Sequence, residues 1–293
     1  MNQGGILSIC KPEGMSSAKI VAIVKRRFGF KKVGHFGTLD PFAKGLMLIG
    51  IDQGTKLSSL IMSLPKRYWA FVKLGERTDT LDPTGKVVAK SAPPWPSLEE
   101  LENEAKKWVG KIEQKVPRYS AVKIKGIRLY DATRRGIDIE PPIKSVVIHS
   151  INVLSLSDNI FEIDVCCSKG TYLRTLAADM AIGMGHEGML NRLCRLEIGK
   201  FALNNSVTVE SLDEMSPDDL VKSAAWYSLT DALDEIPKVR LSERVVNKVL
   251  NGQLPMVPPM ESEYVRLVSQ SDDLVGLLKK GREGWEIERV FPI

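Results

Sequence analysis

The chain has 293 residues, 43% apolar and 26% charged, an ordinary globular composition with room for one large domain or a large and a small one. Disorder throughout, a disulfide-stapled miniprotein and a collagenous rod are excluded. Lys plus Arg at 41 against Asp plus Glu at 36 leaves +5, which permits a nucleic-acid partner without requiring one.

In chain order, residues 5–10 (GILSIC) read as a short strand stopped by Lys11-Pro12-Glu13-Gly14. Ser16 or Ser17 then caps a helix with Ile20, Ile23, Val24 and Phe28 on its apolar side. Three glycines and a proline make VGHFGTLDPFAKG loop-like, and LMLIGI follows as a buried strand or helix segment. YWAFVKL has strand composition, and after the polar ERTDTLDPTG the run KVVAK reads as a return strand. APPWP is a rigid connector. Ser97 with Glu100 forms a capping box before a helix bearing Leu98, Leu101, Ala105 and Trp108.

Residues 145–156 and 160–167 read as two strands joined by Ser157-Asp158-Asn159, and the period turns helical from Gly170 to about Gly183. Beyond about 235, Ser242 caps a helix through Leu250, and YVRLVS, LVGLLK and WEIERVF follow as strands. Short strands interleaved with helices, without regular βαβ spacing, predict an α+β fold with a large mixed, mainly antiparallel sheet. A small β-rich module is expected at 231–293, after a main domain at 1–230.

The charge divides along the same line. Residues 1–230 carry a net +7 and 231–293 a net −2. Lys25, Arg26, Arg27, Lys31 and Lys32 form one cluster, and residues 111–135 hold eight basic against two acidic side chains. Each is either a solvated face or a surface for a phosphate-rich ligand. Cys10, Cys166, Cys167 and Cys194 show no CxxC spacing, which with three histidines argues against structural zinc. No basic segment leads into a long apolar one, and no run reaches ~18 apolar residues. A reduced, cytoplasmic protein is expected.

The densest polar loop is residues 34–45, where Gly34, Gly37, Gly45 and Pro41 surround Asp40. Such a loop can hold a carboxylate rigidly at a cleft, as nucleophile or base, or merely close a turn. His35 has the same two readings. Tyr68, beside Lys66, Arg67 and Trp69, suits either base stacking or a core strand with a basic edge. Asp79 and Asp82 offer weak support for calcium or magnesium. Arg174, in the first turns of a helix, calls for an anion facing it, either a phosphate or a distant carboxylate. No nucleotide-cofactor or zinc-hydrolase motif is present.

Four stretches in fixed order change the scale of the reading. GHFGTLDPFAKGLMLI, KRYWAFVKLGERTDTLDPTG, PRYSAVKIKGIRLYDATRRG and CSKGTYLRTLAADM together resemble the TruB family of bacterial tRNA pseudouridine(55) synthases. The resemblance implies a pseudouridine synthase catalytic fold and isomerisation of uridine 55 in the TΨC loop of tRNA, without a cofactor or metal. It implies Asp40 as the catalytic aspartate, Arg174 as its partner and Tyr68 as the tyrosine stacking on the flipped base. His35, Lys66 and Leu193 follow as substrate-binding residues. The module at 231–293 matches, by place and size, the PUA-like RNA-binding module that relatives set against the acceptor stem. No membrane and no obligate protein partner are implied. The chain departs from the family at Cys10, at Val116 and at Cys194, which replaces an arginine beside the pocket. The alternative class is a non-catalytic RNA-binding or tRNA-folding protein, which would not need Asp40 opposite Arg174.

Overall fold

The computed structural model describes residues 4–124 and 126–293. Lys125, one cation of the 111–135 cluster, lies outside them. The main body contains β1 (Gly4–Lys11), α1 (Ser17–Phe28), β2 (Val33–His35), β3 (Lys44–Asp52), β4 (Lys66–Leu74) and α2 (Leu98–Lys107). It continues with β5 (Gly110–Lys115), β6 (Ile143–Ser157), β7 (Ile160–Cys167), α3 (Leu173–Gly183) and β8 (Gly188–Ile198). One sheet joins them in the order β1-β3-β8-β4-β7-β6-β5. Its pairings along this path are antiparallel except the short β3–β8 bridge. The fold is α+β with a large mixed, mainly antiparallel sheet.

The strand alternation explains which side each helix covers. On β1 and β3, Leu7, Ile9, Met47 and Ile49 face α1 through Ile20 and Val24, while Ile6, Leu46 and Leu48 face the opposite side. Both faces are dry, so LMLIGI reads as a continuous apolar run and forms a strand. Further along, Leu101 and Ala105 of α2 and Leu176, Ala177 and Met180 of α3 pack on Ala70, Val72, Ile163 and Val165. Ser16 caps α1 by accepting from the Lys19 N–H, and the capping box of Ser97 and Glu100 opens α2.

Three differences from the sequence reading have physical causes. The stretch expected to be loop from Val33 begins as strand β2, because β8 leaves β3 early and exposes the backbone of Ile49–Ile51 for pairing. The central strand β8 was not expected at all. Leu190, Leu193, Cys194 and Ile198 have helix-like spacing, because register shifts at Leu190/Arg192 and Arg195/Glu197 break the period of two. Residues 238–240 add a strand that no apolar run announces.

The C-terminal module is a small sheet of β9 (Lys238–Arg240), β10 (Tyr264–Val268), β11 (Leu274–Lys280) and β12 (Trp285–Val290), with helix α4 (Glu243–Leu250). Val246 and Val249 of α4 cover Val265, Leu267, Val275 and Leu278. On the other side, Leu274, Leu277 and Phe291 join Ile6, Phe36 and Leu46 in one apolar cluster. The buried Arg266 holds the connecting segment through the carbonyls of Thr230, Asp234 and Ile236. Strand β1 closes late in the chain: it pairs with Val207–Thr208 and Trp226–Tyr227, and the Ser8 hydroxyl donates to the carbonyls of Asn205 and Ala225. No described helix is long and apolar enough to cross a membrane.

Candidate active site

The loop between β2 and β3 is fastened from three directions. The Ser17 hydroxyl, in the first turn of α1, accepts the Leu39 N–H and donates to the Leu39 carbonyl, each at 2.9 Å. The Lys11 ammonium, fully buried at the end of β1, donates to the carbonyls of Pro12, Met15 and Pro41. Arg195 of β8 donates to the carbonyls of Gly37 and Thr38. Asp40 is what this clamped loop presents. Its carboxylate stands at the edge of a cleft of about 780 Å³.

Arg174, the second residue of α3, meets Asp40 there. Its Nε lies 2.9 Å from the Asp40 carboxylate, with the arginine side chain 6% exposed and that of the aspartate 36%. The anion required near that helix start is therefore a carboxylate 134 positions away in sequence. Nη1 also lies 3.6 Å from the buried Asp82 carboxylate and donates to the Thr80 carbonyl, while Nη2 donates to the Tyr119 carbonyl. The guanidinium is fixed in a plane by partners on both sides. Asp82 in turn accepts from the hydroxyls of Thr80 and Thr84 and the Thr84 N–H. Of the two carboxylates weighed for calcium or magnesium, Asp82 thus holds Arg174 and its own loop.

Tyr68 and Lys66 share the inner face of β4, as the period of two requires, and both line the cleft. Arg67 and Trp69 point to the other face, where Arg67 pairs with Asp164 and Glu197 and Trp69 donates to Glu162. Only Lys66, of the two cations flanking Tyr68, is on its side. Burial raises the Tyr68 phenol pKa, against the pull of the Arg195 guanidinium. Lys66 donates to the carbonyls of Met62 and Leu64, and burial, followed by repulsion from Arg195, brings its pKa down to about 8. Leu193 of β8, 7% exposed, forms part of the apolar wall.

His35 does not line the cleft. It sits on β2 opposite Ile49, its Nδ1 buried without a protein hydrogen-bond partner among the described residues, and burial and Arg195 lower its pKa. Asp40, Lys66, Tyr68, Arg174 and Leu193 line one cleft; His35 lies outside its lining. Neither basic cluster contributes a cationic side chain to the cleft lining among the described residues, but Lys144 and Lys169 do, both exposed at its mouth.

Sequence reasoning missed three contributors. Tyr172 lines the cleft half-buried, its peptide gripped by the buried Gln114 amide, and burial raises its pKa. It lies two residues before Arg174 in a segment already singled out, so its position was the available signal. Asp82 reads in the sequence only as a candidate for calcium or magnesium. Arg195 matches the second arginine of the family's Leu-Arg-Arg beside Cys194, but the sequence assigns it no role, since a charged residue in an uneven strand reads as solvent-facing.

Comparisons with known proteins identify the family. Residues 25–173 match the model of the TruB family pseudouridylate synthase N-terminal domain. The chain belongs to the TruB family. It is 35% identical over 280 residues to the tRNA pseudouridine synthase B of Caldanaerobacter subterraneus subsp. tengcongensis, covering 94% of this chain and 95% of that one. To the tRNA pseudouridine synthase B of Clostridium tetani it is 33% identical, covering 98% and 99%. This TruB-family chain also superposes on a chain from the structure of an H/ACA RNP bound to a substrate RNA containing 2′-deoxyuridine. The TM-score is 0.73 at 20% identity, over 100% of this chain and 86% of that one, a likeness of fold.

Proposed function

We propose that this chain isomerises uridine 55 in the TΨC loop of tRNA to pseudouridine, with Asp40 as the attacking group. The observation that carries the reading is the Asp40–Arg174 pair at 2.9 Å, set beside Tyr68 and Leu193 in one cleft of a TruB-family chain. The arginine holds the carboxylate at the cleft edge, where an attacking oxygen is needed.

The reaction breaks the N1–C1′ bond, forms a C5–C1′ bond, returns a proton to N1 and removes one from C5. Nothing is oxidised or hydrolysed, so no cofactor is called for. Reaching the reacting carbons requires the nucleotide to leave its stack. Tyr68 and Leu193 supply flat and apolar surface for the everted base, and Lys144 and Lys169 supply charge for its backbone phosphates. Attack at C1′, addition to the pyrimidine ring and elimination through a glycal all draw on the Asp40 carboxylate.

We assign residues 1–230 to catalysis and 231–293 to an auxiliary RNA contact with the acceptor stem. The substrate would place the enzyme in the cytoplasm. The deciding experiment incubates an unmodified tRNA transcript with the protein and maps pseudouridine by chemical derivatisation. A single modification at position 55, absent with Asp40→Asn, is expected. Binding without modification would make the protein a non-catalytic RNA binder, and modification elsewhere would reassign the substrate.

A further inference from the structure

Arg195 is 2% exposed, yet no carboxylate lies within ion-pair distance of it among the described residues. A buried cation without a counter-ion is costly unless its donors are taken up. Here they are taken up by main chain. Nε donates to the Leu46 carbonyl at 2.7 Å, Nη2 to Gly37 at 3.2 Å and Nη1 to Thr38 at 3.5 Å. Leu46 belongs to β3, while Gly37 and Thr38 begin the segment that ends at Asp40.

The backbone of Arg195 occupies a junction. Across the β8–β4 ladder it stands directly opposite Tyr68, and in the parallel bridge to β3 it stands beside Gly45. Side chains directly opposite in an antiparallel pair project from the same face within contact range. Gly45 makes the approach of β3 possible, because a Cβ there would come 2.4 Å from the Arg195 carbonyl oxygen. One side chain thus touches the Asp40 loop while its backbone is in register with Tyr68.

We propose that Arg195 is a positioning residue for the reaction, fixing the Asp40 loop against Tyr68 and orienting the phenol in the cleft. The proposal rests on the activity argued above. It goes beyond it in tying Asp40 and Tyr68 through one guanidinium that need not touch the substrate. A simple tether for the loop would leave the electrostatics of Tyr68 untouched. Arg195 does not: its charge opposes the effect of burial on the phenol. Cys167 from β7 and Asp40 from the loop, the other titratable groups acting on Tyr68, push the phenol upward. The same charge bears on His35, Lys66 and Lys11.

The test compares the wild type with Arg195→Lys and Arg195→Gln by three measurements. Single-turnover pseudouridine formation is followed at saturating protein on unmodified tRNA, and affinity for the same RNA is measured separately. The Tyr68 phenol is titrated by NMR in protein labelled with ¹³C at tyrosine Cζ, its signal assigned with Tyr68→Phe. Arg195→Lys keeps the charge but cannot reach both Leu46 and Gly37. It is expected to slow turnover about 100-fold, the scale of a small misplacement of reacting groups. RNA binding should stay within about threefold, because phosphate contacts dominate affinity. Tyr68 is expected to titrate at higher pH in Arg195→Gln, with Arg195→Lys in between.

A folded variant with wild-type turnover overturns the proposal, as does one losing rate and affinity in equal measure. If Arg195→Gln does not fold, Arg195→Lys carries the comparison through its rate-to-affinity split. Should the wild type itself form no pseudouridine, the proposed activity fails while the titration still reports on the pairing with Tyr68. An unmoved Tyr68 titration in a folded Arg195→Gln then rules the pairing out.

Discussion

The Ser17 hydroxyl closes on the Leu39 peptide from both sides, accepting its N–H and donating to its carbonyl, each at 2.9 Å. A helix-start side chain thereby holds the residue next to Asp40. Ser17→Ala leaves two buried backbone groups unpaired, a loss of about 1–3 kcal/mol for an unsatisfied buried group. Chemical denaturation should show a destabilisation of that order. Turnover at saturating RNA should fall more than RNA affinity. Unchanged stability would mean that the loop is held sufficiently by Lys11 and Arg195 alone.

Asp40 and Arg174 separate charge from shape. Asp40→Asn preserves the side-chain outline and should abolish detectable product, with tRNA affinity changed less than about tenfold because phosphate contacts dominate it. Arg174→Met should damage both folding and turnover, since it leaves the 6%-exposed Asp82 carboxylate without its cation. Breaking a buried pair in this way costs about 3–5 kcal/mol. Normal product from Asp40→Asn would refute the catalytic assignment.

Lys66 gives stability a pH dependence of defined sign. Burial, with Arg195 next, lowers its pKa from 10.5 to about 8 in the folded chain. Between those values the unfolded chain binds more protons, so the Lys66 contribution rises with pH and is lost as pH falls through about 8. Relative to Lys66→Met, the wild type should gain stability between about pH 8 and 10 in urea unfolding. Lys11, brought down to about 8 chiefly by burial, is present in both proteins and largely cancels. A flat or falling difference would show that the Lys66 ammonium is better accommodated than its burial implies.

Recognition by local RNA shape predicts that the isolated T-arm hairpin is a substrate. Reaction of intact tRNA alone would move the main recognition to the acceptor end. Lys169→Gln, at the exposed mouth of the cleft, should lower the slope of log affinity against log salt by about one. An unaltered slope would remove Lys169 from the phosphate contacts.

The legible parts of this fold were those where local chemistry and tertiary structure agree. Ser97 and Glu100 cap α2 as their spacing demands, and Ser157-Asp158-Asn159 joins β6 to β7. Strand β8 was illegible because two register shifts give it helix-like spacing. Within the site, the family resemblance picked out Asp40, Tyr68 and Arg174, which do share a cleft, whereas His35 lies outside its lining. The role of Arg195, though it matches an arginine of the family's Leu-Arg-Arg, stayed hidden because its partners are backbone carbonyls, which leave no mark on side-chain sequence.

The pairing of β1 with residues near 207 and 226 has a consequence for synthesis. At a ribosomal rate of about 5–20 residues per second, a strand spanning Gly4–Lys11 waits roughly 10–40 s for Trp226–Tyr227 to be translated. During that interval its apolar residues Ile6, Leu7 and Ile9 belong to an unfinished sheet with an open hydrogen-bonding edge. Nascent chains arrested before that point should therefore be the aggregation-prone and protease-sensitive species. Release of the segment through Tyr227 should mark the onset of protection.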